Sequence, residues 1–212
     1  MIGIAGGSCA GKSELATALS SCLSRTPTPI VSLDAYYRDL TGMSPSDRSR
    51  SNFDHPDALD IDLLVLQLQA LAAGQSIETP VYDFTTHARS AERRLVHPVE
   101  FVIIEGLFTL HWEQVRRPIR FAVFVDTNED TCLARRLRRD TQERGRTRPS
   151  VLEQWRTTVR PMFEQWVSPT RQFATLEVNG TEPPDRNADL VLTHVNSTIY
   201  RGADPGSRRR SP

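Results

Sequence analysis

The chain has 212 residues, and 26 Lys plus Arg are balanced by 26 Asp plus Glu, so the formal net charge is zero. Lysine occurs once, at Lys12, and arginine supplies every other permanently cationic side chain. The balance argues against a dedicated polyanion binder, whose domain is usually strongly basic, and 38% hydrophobic residues suit a globular chain rather than a disordered one.

In chain order, Ile2 to Ala5 reads as a short buried strand broken by Gly6-Gly7. Nothing before it has the basic and apolar blocks of a signal or transit peptide. Leu15, Ala16, Leu19 and Leu23 then recur at helical spacing from Lys12, and Pro27 and Pro29 end that helix. Ile30 to Leu33 is a second strand, residues 39–57 a polar loop, and Ala58 to Ala73 a leucine-rich helix closed by Gly74. Two β-prone stretches within 77–97 predict a projecting hairpin. Phe101–Ile104 and Phe121–Val125 are continuous apolar runs, the habit of strands covered on both faces, and far too short to span a bilayer. Asp130–Arg139 is helical. Ser150-Val151-Leu152-Glu153 has capping-box spacing and opens a helix with Val151, Trp155, Val159, Met162 and Trp166 on one face, bent at Pro161. Asp189–Thr193 fits a last strand, and the basic tail over 201–212 reads as disordered. The alternation predicts one α/β domain over 1–200 with a mostly parallel sheet. Cys9, Cys22 and Cys132 are odd in number and lack C-x-x-C spacing, which fits a reducing, cytoplasmic setting and gives no zinc site.

Gly6-Gly7-Ser8-Cys9-Ala10-Gly11-Lys12-Ser13 matches G-x-x-x-x-G-K-[ST] in full, after a strand and at the start of a helix. Glycines let backbone N–H groups turn inward around phosphate oxygens, and the helix N-terminus adds its positive end. Lys12 can reach the β- and γ-phosphates, and the Ser13 hydroxyl can ligate Mg²⁺. Asp34 follows the second strand and Glu105 the third, so both open on the carboxyl edge of a parallel sheet, where ligands bind. One carboxylate could accept a proton from an incoming hydroxyl while both help hold a metal; either alone could equally be a turn or cap acid.

Residues 135–148 carry seven arginines. They read as a solvated helix face, a nucleic-acid patch, or a lid whose guanidiniums clamp transferring phosphates, with Gly145 as its hinge. Zero net charge and the interspersed Asp140 and Glu143 weaken the nucleic-acid reading. Tyr82, Phe84 and His87 in the hairpin could stack on a flat heterocycle or form an aromatic minicore; Trp155 and Trp166 read as core. A regulatory GTPase is excluded, because its Asn-Lys-x-Asp motif needs a second lysine.

Further stretches carry a resemblance: Ser32-Leu33-Asp34-Ala35-Tyr36-Tyr37-Arg38, Asn52-Phe53-Asp54-His55-Pro56-Asp57-Ala58, Pro80-Val81-Tyr82-Asp83-Phe84 with His87, Ile103-Ile104-Glu105-Gly106, Phe124-Val125-Asp126-Thr127 and Arg135–Arg146. With the phosphate loop they make the chain similar to the uridine-cytidine kinases, the nucleoside-kinase branch of the P-loop kinases, from residue 2 to about 195. The resemblance implies a five-stranded parallel sheet flanked by helices, with the hairpin bearing base recognition and a lid over 135–148. It implies ATP as donor, Mg²⁺ on Ser13, Asp34 and Glu105, and uridine and cytidine as acceptors, giving UMP and CMP. Asp34 falls where the general base stands, with Lys12, Arg139 and Arg144 serving the transferring phosphate. Asp54 and Arg136 fall on ribose-binding positions, Tyr82, Phe84 and His87 on pyrimidine-binding ones, and Arg146 and Gln154 line the nucleoside site. The family members are commonly homotetramers, so a homo-oligomer is expected; no nucleic-acid or membrane partner is. The alternative is a related kinase for another small alcohol, such as ribulose phosphate, pantothenate or nicotinamide riboside. Val178–Asp189 departs from the family's pattern, so no adenine contacts are assigned there.

Overall fold

The computed structural model describes residues 1–25, 27–44, 47–48 and 51–201. Strands β1 (Ile2–Gly6), β2 (Ile30–Ser32), β5 (Ile103–Glu105), β6 (Phe121–Asp126) and β7 (Leu176–Asn179) form one sheet in the order β2-β5-β1-β6-β7. Each neighbouring pair is parallel, as the continuous apolar runs predict. Alternate residues of the central strands feed two hydrophobic clusters, one on each face. Ile4, Ile103, Val123 and Val125 pack against α1 (Lys12–Cys22) and α6 (Pro184–Arg201). Ala5, Ile104 and Phe124 pack against α2 (Ile61–Ala72), α3 (Glu113–Arg116) and the antiparallel hairpin of β3 (Ile77–Asp83) and β4 (Ala88–Val96).

Several boundaries differ from the sequence expectation. Leu33, placed in β2, instead starts a 3₁₀ turn over Leu33–Tyr36. Helix α2 starts at Ile61 rather than Ala58, because the Asp60 carboxylate accepts the Leu63 N–H at 3.2 Å and so caps it. The expected strand at Asp189–Thr193 lies inside α6. Its apolar run Leu-Val-Leu resembles a strand locally, but buried Ala188, Val191 and Val195 recur at helical spacing. The fifth strand is Leu176–Asn179, whose first and last residues are its partners' edge extensions and whose Val178 alone is buried. Of the basic tail expected over 201–212, Arg201 closes α6 and the rest lies outside the described residues. In the loop expected over 39–57, residues 45, 46, 49 and 50 likewise fall outside them.

Helix α4 (Glu129–Gln142) leads to α5 (Arg148–Gln154), which is capped by Thr147, not Ser150: the Thr147 hydroxyl accepts the Ser150 N–H. The helix then runs on through π-helical turns at Trp155–Val159 and Phe163–Val167, separated by Arg160–Met162, and ends in a 3₁₀ turn over Ser168–Phe173. Pro161 has no N–H to give, and the ladder re-registers to wider turns on both of its sides. The fully buried positions are Val151, Trp155, Val159 and Val167, while Met162 and Trp166 are half-buried. Four-residue spacing drifts about 40° per step around an α-helix; the wider π turns offset that drift and hold the stripe inward.

Candidate active site

The carboxyl ends of β1, β2 and β5 open on one cavity of about 610 Å³. The phosphate loop forms its floor. Gly6 has φ +148°, and a Cβ there would stand 2.5 Å from the Val125 carbonyl oxygen, so β6 forbids a side chain. Gly11, at φ +106°, turns the chain into α1. Cys9 also holds a left-handed φ of +60°, a strained choice for a non-glycine residue that fits a loop shaped around a ligand. Lys12 is buried, its Nζ donating to the Gly7 carbonyl at 2.7 Å. Ser8, Cys9, Gly11, Lys12 and Ser13 line the cavity, whereas Gly6, Gly7 and Ala10 shape the loop from behind.

Asp34 and Glu105 both line the cavity beside Lys12. Glu105 is buried and accepts hydrogen bonds from Ser13 Oγ at 3.2 Å and from Ser32 Oγ. Burial pushes its carboxyl above the ordinary range, the Asp34 charge adds to that, and Lys12 opposes it. Two carboxylates and a hydroxyl make a hard-oxygen donor set that suits Mg²⁺. Among the described residues no three His, Cys, Asp or Glu side chains cluster as a protein-only cage, in keeping with an ion that shares its shell with water and substrate phosphates.

The opposite wall is built from the hairpin and α4. Asp83 closes the hairpin turn, accepting the Thr85 N–H at 2.7 Å and the Thr86 hydroxyl at 2.9 Å. His87 follows at φ +52°, and its ring stacks on Phe53 with centroids 4.9 Å apart and planes 16° from parallel. Burial, with Arg146 and Arg144 nearby, lowers the His87 pKa, so its ring stays neutral. Tyr82 packs between Tyr37 and Phe84. The aromatic group is thus both a minicore and a cavity wall, with Phe84 exposed at the rim.

Arg136 is a buried hub. It donates to Ser8 Oγ at 2.8 Å and to Gln154 Oε1 at 2.9 Å, and lies 3.8 Å from Asp54 and 3.3 Å from Asp140. Gln154 Oε1 also accepts from Arg146. Burial raises the Asp54 pKa, Arg136 counteracts this and Asp34 reinforces it. Asp140, 1% exposed, gathers Arg139 at 2.9 Å and Arg144 at 3.9 Å as well as Arg136. Arg144 in turn lies 4.9 Å over the Phe84 ring. The helix arginines therefore face the cavity through a shared carboxylate rather than forming a solvated face, and Gly145 turns the chain at φ +63° just beyond them.

All the side chains expected at the acceptor and phosphate ends meet in this one cavity. Sequence reasoning missed four neighbours. Phe53 sat inside a quoted motif without an assigned contact, and Tyr37 lines the wall beneath it. Arg135 reaches the phosphate loop, donating to the Cys9 and Ala10 carbonyls at 3.4 Å and to Gly180 at 2.9 Å. Within a run of seven arginines, nothing distinguished it. Gly180 follows β7, a strand that was assigned elsewhere.

Residues 1–184 match the model of the family described as Phosphoribulokinase / Uridine kinase family. A uridine kinase from Lactobacillus johnsonii is 40% identical over 200 residues, covering 94% of this chain and 95% of its own. One from Chloroflexus aurantiacus is 39% identical, with coverage of 94% and 95%. Among solved structures, phosphoribulokinase from Rhodobacter spheroides superposes with a TM-score of 0.60 at 11% identity, over 86% of this chain and 72% of that one. At that identity the likeness speaks for the fold alone.

Proposed function

The chain belongs to the phosphoribulokinase/uridine kinase family and is a phosphotransferase, and from that premise we propose that it transfers the γ-phosphoryl group of ATP to the 5′-hydroxyl of uridine and cytidine. The observation that carries this reading is the single cavity with the phosphate loop at one end and the Tyr82–Phe84–His87 wall at the other. A ribonucleoside spans such a cavity with its base on the aromatic wall and its 5′ end toward Asp34. Asp54 and Arg136 bind the ribose hydroxyls, while Arg146 and Gln154 complete the nucleoside pocket. Asp34 accepts the 5′-OH proton as the bond to phosphorus forms. Lys12 and the loop amides from Gly6 to Ser13 hold the ATP phosphates, and Arg139 and Arg144 cover the charge on the transferring group. Ser13, Asp34 and Glu105 would hold Mg²⁺, which bridges phosphate oxygens and neutralises charge when bound.

The segment 135–148 acts as the lid and 77–97 as the base-reading hairpin of one kinase domain over 1–200. The enzyme works in the cytoplasm as a homo-oligomer, without a nucleic-acid partner; among the described residues no helix is long and apolar enough to cross a membrane.

A coupled ADP-release assay over a panel of nucleosides and small alcohols tests the assignment. Turnover is expected with uridine and cytidine; its absence with both, or preference for ribulose phosphate, pantothenate or nicotinamide riboside, refutes it. Asp34→Asn is expected to bind both substrates yet lose about 10²–10⁴-fold in kcat, and near-normal turnover would remove Asp34 as the base.

A further inference from the structure

Arg89 lies on β4 outside the group of described residues that line the cavity. Its guanidinium makes three hydrogen bonds, all to the segment that follows Asp34 or to that segment's neighbour. Nε donates to the Tyr37 carbonyl at 2.8 Å, Nη2 to the Tyr36 carbonyl at 3.1 Å, and Nη1 to Asp60 Oδ2 at 3.1 Å. Asp60 is fixed in its own right: Oδ1 caps α2, and its N–H donates to the Tyr36 carbonyl at 2.8 Å. Tyr37 also bridges to Leu59. On the hairpin side, Arg89 stands directly opposite Tyr82 and two residues beyond His87.

The hairpin is a separate two-stranded sheet with no ladder to the main one. Two strands alone are marginally stable in water, so their placement depends on what they dock against. A planar fork with donors in fixed directions sets both distance and orientation, which a flexible ammonium does not. We propose that Arg89 is a positioning residue that fixes the separation between the Asp34 turn and the hairpin's Tyr82 and His87, so that a nucleoside held by its base presents its 5′-hydroxyl to Asp34. This rests on the nucleoside-kinase reading above. A ribonucleoside is a nearly rigid ruler, and its two ends are bound productively together only when the two protein elements hold a matching span.

Arg89→Met keeps the aliphatic stem and removes the fork, Arg89→Lys keeps the charge, and Asp60→Asn keeps the capping oxygen while weakening the ion pair. Arg89→Met is expected to raise the uridine KM about tenfold or more, the loss of charged hydrogen bonds, with the ATP KM unchanged. Arg89→Lys should fall between, and Asp60→Asn should add nothing in the Arg89→Met background. Hydrogen exchange at the hairpin amides should quicken while β1, β5 and β6 keep their protection. An unchanged uridine KM with unchanged hairpin exchange overturns the proposal even if thermal stability falls, and so does a parallel rise of both KM values, which marks general damage. Should the wild-type chain not phosphorylate nucleosides, the functional reading fails by itself, and the hairpin exchange rates still decide whether Arg89 sets the span.

Discussion

Gly180 offers the sharpest test of how the phosphate loop is supported. It follows β7 and presses against the back of the loop: a Cβ there would stand 2.0 Å from the Ala10 carbonyl oxygen, 2.2 Å from Thr127 Oγ1 and 2.7 Å from Val125 Cγ1. The Ala10 carbonyl already accepts the Thr127 hydroxyl at 2.8 Å, and Arg135 ties both it and the Gly180 carbonyl together. In Gly180→Ala the neighbours are backbone or braced, so either β7's exit or the phosphate loop must retreat by roughly 1 Å to reach ordinary contact. Overpacking of this kind costs about 1–3 kcal/mol, which in a chain of this length lowers Tm by about 2–12 °C. A misplacement of that size near the reacting groups costs on the order of 10²-fold, and here it falls on kcat/KM for ATP. The uridine KM, set by the hairpin side, should move much less. Thermal unfolding and steady-state kinetics with ATP varied at saturating uridine measure both effects. An unchanged Tm with an unchanged kcat/KM for ATP would show that the loop tolerates the methyl, and the account of its bracing would be wrong.

Lys12→Arg should leave Tm close to wild type yet lower kcat by more than about 10²-fold, because a planar guanidinium cannot take the place of a compact ammonium in the tight cradle around the Gly7 carbonyl; retained turnover contradicts this. Asp54→Asn should raise the uridine KM while changing how stability depends on pH. Burial lifts the Asp54 carboxyl in the folded chain above its unfolded value, so its contribution is fully present at acid pH and is lost as pH rises through the lifted pKa. The Tm of Asp54→Asn relative to wild type should therefore climb between about pH 4 and pH 7. A difference that stays constant across that range would mean Arg136 fully compensates the burial.

The fold was legible where local chemistry and tertiary environment agree. The phosphate loop was readable because its glycines, lysine and serine each answer a demand of the phosphate, and Asp34 and Glu105 because parallel strands bring their ends to one edge. The acceptor wall was readable only through the resemblance, since Tyr82, Phe84 and His87 alone fit a minicore equally well. Misreadings arose where a short window is degenerate. Leu190-Val191-Leu192 looks extended until the burial of Ala188 and Val195 gives it helical phase, and Leu176-Glu177-Val178 looks too polar for a core sheet because it lies at the edge. Thr147 outcompeted Ser150 as a cap because Arg148-Pro149 can begin the first turn. The grouping of Arg136, Arg139 and Arg144 around Asp140 involves helix and loop geometry that spacing alone does not give.

The two π turns flanking Pro161 make the chain's tolerance to length changes uneven. Each wide turn accommodates one residue more than an α-helical turn needs, so each is where a single-codon insertion leaves its mark in a helix. Deleting one residue near Thr157 would restore an ordinary ladder locally, but it would turn everything before it by about 100° relative to everything after. Gln154, with Arg136 and Arg146 bonded to it, would swing away from the cavity while Val167 kept its place in the opposite core. A surface loop absorbs a lost codon; this helix converts one into a rotation of the whole acceptor wall.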